Sequence, residues 1–385
     1  MDVTYSVENT SVVDNVTWVD HSWFKRDYGG VPPIYAITLF HLYPIVMLGR
    51  VVHIMWYTIG VIGNIISMRI WTQSHMKKLN SSALYLVSIT FCDIGYHVLH
   101  VFFYLKYYWG LESVGVTGIC QLWNILNLIP QYASQLLVLG FTAERLISIV
   151  RPFQGERFSK HKRAPKVIII IATLVVTLTL PQGLFWEVDG DGFCEISLQY
   201  IDFYEIWSYM TESFIFVIVP VTSLIMNIIV LAQTSRTLKQ RSQLSSNDRH
   251  SQIHKNGKVR KPAIKTLLSI SFFRILTQLP ISIMYTIHNF DVFSFGALMP
   301  LAEMTHDPQK IAFIRYWGCR MIIEIFGASH HALSVFIFYA STKQFRCEVK
   351  QLMHICKVRV IRRNYSFSPD SPSDTRLTTF FKTNS

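Results

Sequence analysis

Seven stretches of this chain are so long and so apolar that a lipid bilayer is the environment that suits them. They run roughly Pro44–Ile70, Ala83–Tyr108, Gly118–Phe141, Lys166–Trp186, Ser213–Ala232, Ala263–His288 and Trp317–Ala340. At 1.5 Å of rise per residue each reaches across a hydrocarbon core of about 30 Å. With no water there to satisfy N–H and C=O groups, such stretches must be helices. The fourth is the purest, reading VIIIIATLVVTLTLP from Val167 to Pro181, while Arg50, His53, Arg320 and Glu324 interrupt the first and seventh. Composition agrees: 16% of residues are charged and mean hydropathy is +0.29, against roughly 25% charged in soluble chains. A water-soluble helical repeat is the alternative, but no self-similarity at a solenoid period is visible. The expected fold is an all-α membrane protein, a seven-transmembrane helix bundle.

The charges orient it. The segments after the first, third and fifth spans, together with the tail, carry 26 of the 36 Lys and Arg residues. The positive-inside rule makes that side cytoplasmic, at the plasma membrane, and places the N-terminus outside. The first twenty residues have no basic start and no apolar run, so no cleavable signal peptide is expected. Residues 1–43 then form an extracellular segment, 44–342 the bundle, 343–356 a short amphipathic eighth helix and 357–385 a disordered cytoplasmic tail. Sequons at Asn9 and Asn15 suit glycosylation outside, whereas those at Asn80 and Asn364 fall inside and should stay bare. The net charge of +12 follows from the inner loops, which face lipid headgroups, and implies no nucleic-acid partner. The outer side is acidic. Between Glu187 and Glu212 lie seven carboxylates and no Lys or Arg, which read either as a solvated loop or as a funnel that concentrates cationic ligands.

The third span carries the most informative pattern. Cys120 opens it and Glu144-Arg145 closes it, 25 residues later, or about 37 Å of helix. Cys120 and Cys194 are the two cysteines placed outside, in oxidising space, so a disulfide is expected between them. Asp93 is a lone carboxylate in mid-membrane, costly there and a functional candidate by default, with Asn64, Ser134 and Ser334 at matching depth. Pro220 and Pro280 remove helix hydrogen bonds and permit kinks.

In their order these features resemble the rhodopsin-like family of G-protein-coupled receptors. Thr142-Ala143-Glu144-Arg145 with Pro152 downstream is similar to the family's acidic-Arg segment. Gly63-Asn64, Asp93, Trp109-Gly110, Pro220, Pro280 and Phe345-Arg346 resemble its landmarks in helices one, two, five, six and eight and in the first outer loop. The resemblance implies a receptor without enzymatic activity that activates a heterotrimeric G protein through rearrangement of helices three, five and six. Glu144, Arg145, Pro152, Pro220, Pro280, Ser334 and Phe338 would form its switch. It also implies a sodium ion or a proton held among Asn64, Asp93, Ser134 and Ser334, with no other cofactor and no metal site. Two motifs depart. Gln278 replaces the helix-six tryptophan and Arg274 the phenylalanine before it, and the seventh-helix NPxxY segment reads Ser334 to Phe338 followed by Tyr339.

The ligand follows less directly. Asn127 stands where amine receptors of this family have a carboxylate, and Ala328 where opsins have lysine. Tyr104, Trp123, Asn124, Asn127, Gln131, Glu212, Gln278, Tyr285, His288, Arg320 and Glu324 are the candidate ligand residues. Glu212 or Glu324 would pair with a cationic ligand group, although Arg320 and Glu324 one turn apart also make an internal pair. The expectation is a basic, amidated neuropeptide, by likeness to invertebrate neuropeptide and FMRFamide-like receptors. A receptor for a non-peptide small molecule is the alternative, and a transporter a more distant one, disfavoured by the lack of repeats. Cys347 and Cys356 beside basic residues suit palmitoylation. The Ser/Thr-rich tail from Ser366 would take phosphate from a receptor kinase and bind arrestin.

Overall fold

The computed structural model describes residues 27–28, 31–73, 83–150, 160–190, 192–244, 253–289 and 298–353. Its long helices are α2 (Tyr43–Trp71), α3 (Ala83–Trp109), α4 (Ile119–Val150) and α5 (Lys160–Thr179). The fifth span is built from α7 (Ile201–Ser213), a π-helical turn over Phe214–Ile218, and α8 (Val219–Leu244). The sixth is α9 (Ile253–Asn289). The seventh is α10 (Pro308–Gly327), α11 (Ser329–Ala332) and α12 (Ser334–Ser341) in succession. Two short helices, α1 (Pro33–His41) and α6 (Gln182–Phe185), and a hairpin of β1 (Trp186–Val188) and β2 (Cys194–Ile196) lie between or before the spans. The spans close a ring: α2 packs on α3, α3 on α4, α4 on α5 and α8, α8 on α9, and α9 on α10 and α12, which return to α2.

This is a seven-helix bundle turned inside out relative to a water-soluble one. Ile170 at 66% exposure and Leu276 at 73% point outward, as lipid contact requires, while Asp93, Asn64, Ser134 and Arg274 are buried. Among the described residues five helices are long and apolar enough to cross a bilayer on their own, and a sixth if the bent seventh span counts as one. The one left over is α4. It is 32 residues long but carries Gln121, Asn124, Asn127, Gln131, Ser134 and Gln135; of these Asn124, Ser134 and Gln135 are buried. Its polarity is that of a helix whose inward face serves the interior of the bundle.

Several expected boundaries move. The third span runs on to Val150. The fifth begins at Ile201, so Asp202 and Glu205 sit on a helix rather than in a loop. The seventh begins at Pro308, where the Asp307 side chain caps it by accepting from the Gln309 N–H at 2.8 Å. The 1–43 segment is not featureless. Helix α1 packs on α2 and α3, the Tyr28 hydroxyl donates to the Met299 carbonyl at 2.8 Å, and Asp27 accepts from the Leu301 N–H at 3.1 Å. Cys319 of α10 is exposed.

Breaks in the helices are repaired by neighbours. Pro220 has no N–H to give to the Phe216 carbonyl one turn back, and the Ser282 hydroxyl of α9 donates to that carbonyl at 2.7 Å. The seventh span bends by 49° without a proline, at Leu333 with φ −92° and ψ 3°. Carbonyls around the bend are taken up from α2: Trp56 Nε1 donates to Ile325 O at 2.9 Å and Asn64 Nδ2 to His331 O at 2.8 Å. By contrast α9 continues through Pro280 without interruption. Residues 343–353 form the next helix. Its Phe345 is fully buried against Trp71 and Phe338, and Arg346 Nη1 donates to the Tyr339 and Ala340 carbonyls at the end of α12.

Small residues let α2 approach its neighbours closely. A Cβ added at Gly60 would land on the His97 ring, and one at Gly63 would come within 2.7 Å of Val335 Cγ1. Gly110, which ends α3, has φ +68° and lies against the Tyr35 ring, so it needs glycine on both counts. Gly60→Val is expected to lower the melting temperature of the detergent-solubilised protein by the equivalent of about 1–3 kcal/mol. Gly190→Ala, with nothing within 4 Å, should leave it unchanged.

Candidate functional site

Asp93 on α3 is fully buried, and every oxygen it has is engaged. Arg274 Nη2 from α9 lies 2.8 Å from Oδ1 and 2.9 Å from Oδ2. His331 Nδ1 on α11 is 2.7 Å from Oδ1. The Ser334 hydroxyl donates to Oδ2 at 3.2 Å and the Ser134 hydroxyl to Oδ1 at 3.3 Å. Ser134 in turn accepts from Arg274 Nη1 at 2.6 Å. A carboxylate offers about four lone-pair sites, and five contacts from four residues fill them. The four expected polar-core residues are therefore brought together, with Asn64 one step removed through the His331 carbonyl.

Arg274 stands out in the sequence only as a departure from a motif. In the fold it is the counter-ion of Asp93, 181 residues away. Its burial at 2% exposure is tolerated because the partner charge and a hydroxyl meet it, and an unpaired guanidinium there would be very costly. The resemblance implies a sodium ion or a proton at this carboxylate. The residues present do not fit a metal cation, because the position a cation would take against Asp93 is filled by guanidinium nitrogens. His330 and His331, neighbours on α11, diverge: His331 meets Asp93, and His330 Nδ1 lies 3.2 Å from the Thr277 hydroxyl. The His331 ring stacks on Tyr96 at 3.9 Å between centroids. His53 and His100 stack at 5.4 Å, and Tyr57 Oη is 2.9 Å from His100 Nδ1. This imidazole–phenol packing between α2, α3 and α11 follows no motif and had no signal in the sequence.

Above this core, toward Cys120, the bundle opens into a cleft of about 1120 Å³ including the part open to the outside. Trp123, Asn124, Asn127, Gln131, Glu212, Gln278, Tyr285, Arg320 and Glu324 all line it. Tyr104 does not. Its hydroxyl donates to the Arg50 carbonyl at 3.0 Å and its ring packs on Tyr108, which makes it part of the α2–α3 contact. His288 belongs to α9, but its side chain lies outside the described residues. The lining also includes Tyr96, His100, Lys106, Gln182, Trp186 and Tyr204, which sequence spacing did not single out because the lid brings several of them in.

That lid is the hairpin, paired Trp186↔Ile196, Glu187↔Glu195 and Val188↔Cys194. The Cys120–Cys194 disulfide is present and ties it to the first turn of α4. Lys106 Nζ on α3 adds a second tie, donating to the Cys194 carbonyl and pairing with Glu112, both at 3.1 Å. Gln121 Nε2 adds a third, to the Trp186 carbonyl at 2.9 Å. Within the cleft Arg320 Nε donates to Glu324 Oε1 at 2.8 Å, and the guanidinium lies over the Tyr285 and Trp317 rings at 4.9 and 4.7 Å. The internal pair anticipated on spacing is thus present.

At the far end of α4, Arg145 stacks over Phe141 at 5.7 Å, and the Glu144 carboxylate shares a hydrogen bond with Tyr85 of α3. Phe338, fully buried, meets Trp71 edge-on at 5.5 Å. Cys347 is exposed. Asn9, Asn15, Pro152, Cys356 and the tail from Ser366 lie outside the described residues.

Asp93 and Arg274 should behave as one unit. Asp93→Asn or Arg274→Gln alone leaves a buried charge without its partner, a loss of about 3–5 kcal/mol. The double variant Asp93→Asn/Arg274→Gln should melt well above the sum of the two losses, with a coupling of about 1–3 kcal/mol. Additive changes in melting temperature would mean that the two groups are not coupled.

Residues 63–323 match the family described as 7 transmembrane receptor (rhodopsin family). The chain is 26% identical over 176 residues to the pyrokinin-1 receptor of Drosophila melanogaster, which covers 45% of the chain and 40% of the relative. It is 24% identical over 217 residues to the FMRFamide receptor of the same species, covering 50% and 38%. It is 25% identical over 151 residues to the human leukotriene B4 receptor 1, covering 39% and 41%. The chain thus spans about two fifths of the length of these relatives. With the family match extending from Gly63 of α2 into α10, over Asp93, Ser134 and Arg274, the disulfide-tethered lid and the Glu144-Arg145 end alike, this chain belongs to the rhodopsin family of seven-transmembrane receptors, whose members are receptors rather than enzymes.

Proposed function

We propose that the chain is a plasma-membrane receptor, N-terminus outside, that binds a basic peptide in the lidded cleft and activates a heterotrimeric G protein from the Arg145 end. The observation that carries this reading is the make-up of the cleft lining. Lys106 pairs with Glu112 and Arg320 with Glu324, and the lining adds the Glu212 carboxylate beside Asn124, Asn127, Gln131 and Tyr285. A half-desolvated carboxylate favours a ligand cation, and the tyrosines and amides around it suit an amphipathic chain. The likeness to two receptors named for peptides, pyrokinin-1 and FMRFamide, supports the peptide class. The acidic stretch from Glu187 to Glu205 would steer such a ligand to the cleft mouth. Signalling would pass along α4, α8 and α9 to Arg145, and receptor kinase and arrestin would act on the Ser/Thr-rich tail.

A second reading has its own observation. Arg320 Nη1, buried in the cleft wall, finds no hydrogen-bond partner among the described residues. An acidic small molecule would satisfy it, and the likeness to a leukotriene receptor points the same way.

Screening amidated basic peptides on cells expressing the chain separates the two. For an agonist found there, Glu212→Gln is expected to raise the half-maximal concentration about tenfold or more, the loss of one charge-assisted contact, whereas Arg320→Gln should abolish the response to an acidic agonist. An unchanged response to the basic peptide in Glu212→Gln removes Glu212 from the ligand account.

The other end is tested separately. Arg145→Ala should keep agonist binding and lose agonist-dependent nucleotide exchange on the G protein. Exchange that persists at the wild-type rate would show that coupling runs through other residues.

A further inference from the structure

We propose that Arg274 is a resident cation: its guanidinium holds, permanently and from within the chain, the place against Asp93 that a mobile monovalent cation would otherwise take, so that the core of this receptor is closed to sodium.

The geometry supplies each step. Asp93 is fully buried, with no access to solvent to screen it, so its charge must be balanced by something within contact distance. Arg274 Nη2 spans both carboxylate oxygens, at 2.8 and 2.9 Å. Ser134, which could offer a hydroxyl oxygen to a metal cation, already accepts from Arg274 Nη1 at 2.6 Å. Ser334 and His331 turn donors, not acceptors, toward the carboxylate. A second cation would find both Asp93 oxygens and the Ser134 hydroxyl already engaged by Arg274, and would sit beside a fixed positive charge in a medium that screens it weakly. One carboxylate stands against one guanidinium, with His331 Nδ1 2.7 Å from Oδ1 of the same carboxylate.

Tethering has a physical consequence. A bound ion leaves when its concentration falls, but a guanidinium tethered to α9 stays within a side chain's reach of Asp93 and leaves it only by a change in the conformation of the side chain or of α9. Occupancy of this place is thus set by conformation, independent of the sodium concentration on either side of the membrane.

The test uses the full chain, purified in detergent, with sodium chloride as the probe and choline chloride at equal ionic strength as the reference. Wild type should melt at the same temperature in both. Arg274→Gln removes the resident cation and should show a sodium-specific rise of about 3 °C at a concentration well above the dissociation constant, and that rise should vanish in Asp93→Asn/Arg274→Gln. Arg274→Lys, which keeps a cation on the same helix, should again show none. A sodium-specific rise in wild type that Asp93→Asn abolishes would overturn the proposal, and so would a folded Arg274→Gln that does not respond to sodium. The wild-type comparison decides by itself if Arg274→Gln does not fold.

Discussion

A carboxylate in the middle of a membrane must be answered by other groups of the same protein, and in this receptor the answer to Asp93 draws four helical segments to one point. The carboxylate sits on α3. Its counter-ion comes from α9, one hydroxyl from α4, and an imidazole and a second hydroxyl from the bent seventh span. In water such an ion pair would contribute little, because solvent screens it and competes for it. In the dry interior the same contacts cannot be exchanged for water, so each helix that contributes a donor is held in register with the others.

The same absence of water governs the backbone. Pro220 removes one N–H, the seventh span breaks after Gly327 and again at Leu333, and side chains from neighbouring helices reach carbonyls at these places. Ser282 reaches the Phe216 carbonyl, while Trp56 and Asn64 reach Ile325 and His331. Irregular helices are therefore cross-linked where they are weakest. Asn64 shows the economy of the arrangement: the side chain that supports the bend also fixes the carbonyl of His331, whose ring contacts Asp93. The bend needs no proline, since neighbours satisfy the carbonyls it frees.

The cleft depends on a different kind of tie. Its roof is a two-stranded hairpin too short to be stable alone. A disulfide to Cys120, Lys106 reaching the Cys194 carbonyl, and Gln121 reaching the Trp186 carbonyl hold it over the helix ends. Below the roof, two internal ion pairs, Lys106–Glu112 and Arg320–Glu324, lie in the wall of the cleft.

Much of this molecule was legible from residue order alone. Membrane spans follow from apolar runs because the bilayer has a fixed thickness, and the disulfide follows once those spans leave Cys120 and Cys194 at the same end of the bundle. Asp93, Ser134 and Ser334 could be placed at a common depth because rise per residue is constant along a helix. Their partner could not. Arg274 lies 181 residues from Asp93, and nothing in local spacing says that α9 turns this face toward α3; seen in sequence, it was a substituted phenylalanine. Tyr104 fell by the same logic, being at the right depth for the cleft but rotated into the contact with α2. Helix α1, the bend at Leu333 and the histidine packing around Tyr96 were hidden because each depends on which neighbour is at hand to complete it. What the sequence determined was how far along the membrane normal each group sits, a property of one helix and its solvent. The tertiary structure alone decided which way each helix is turned and what it meets there, because that is the property of several helices packed together.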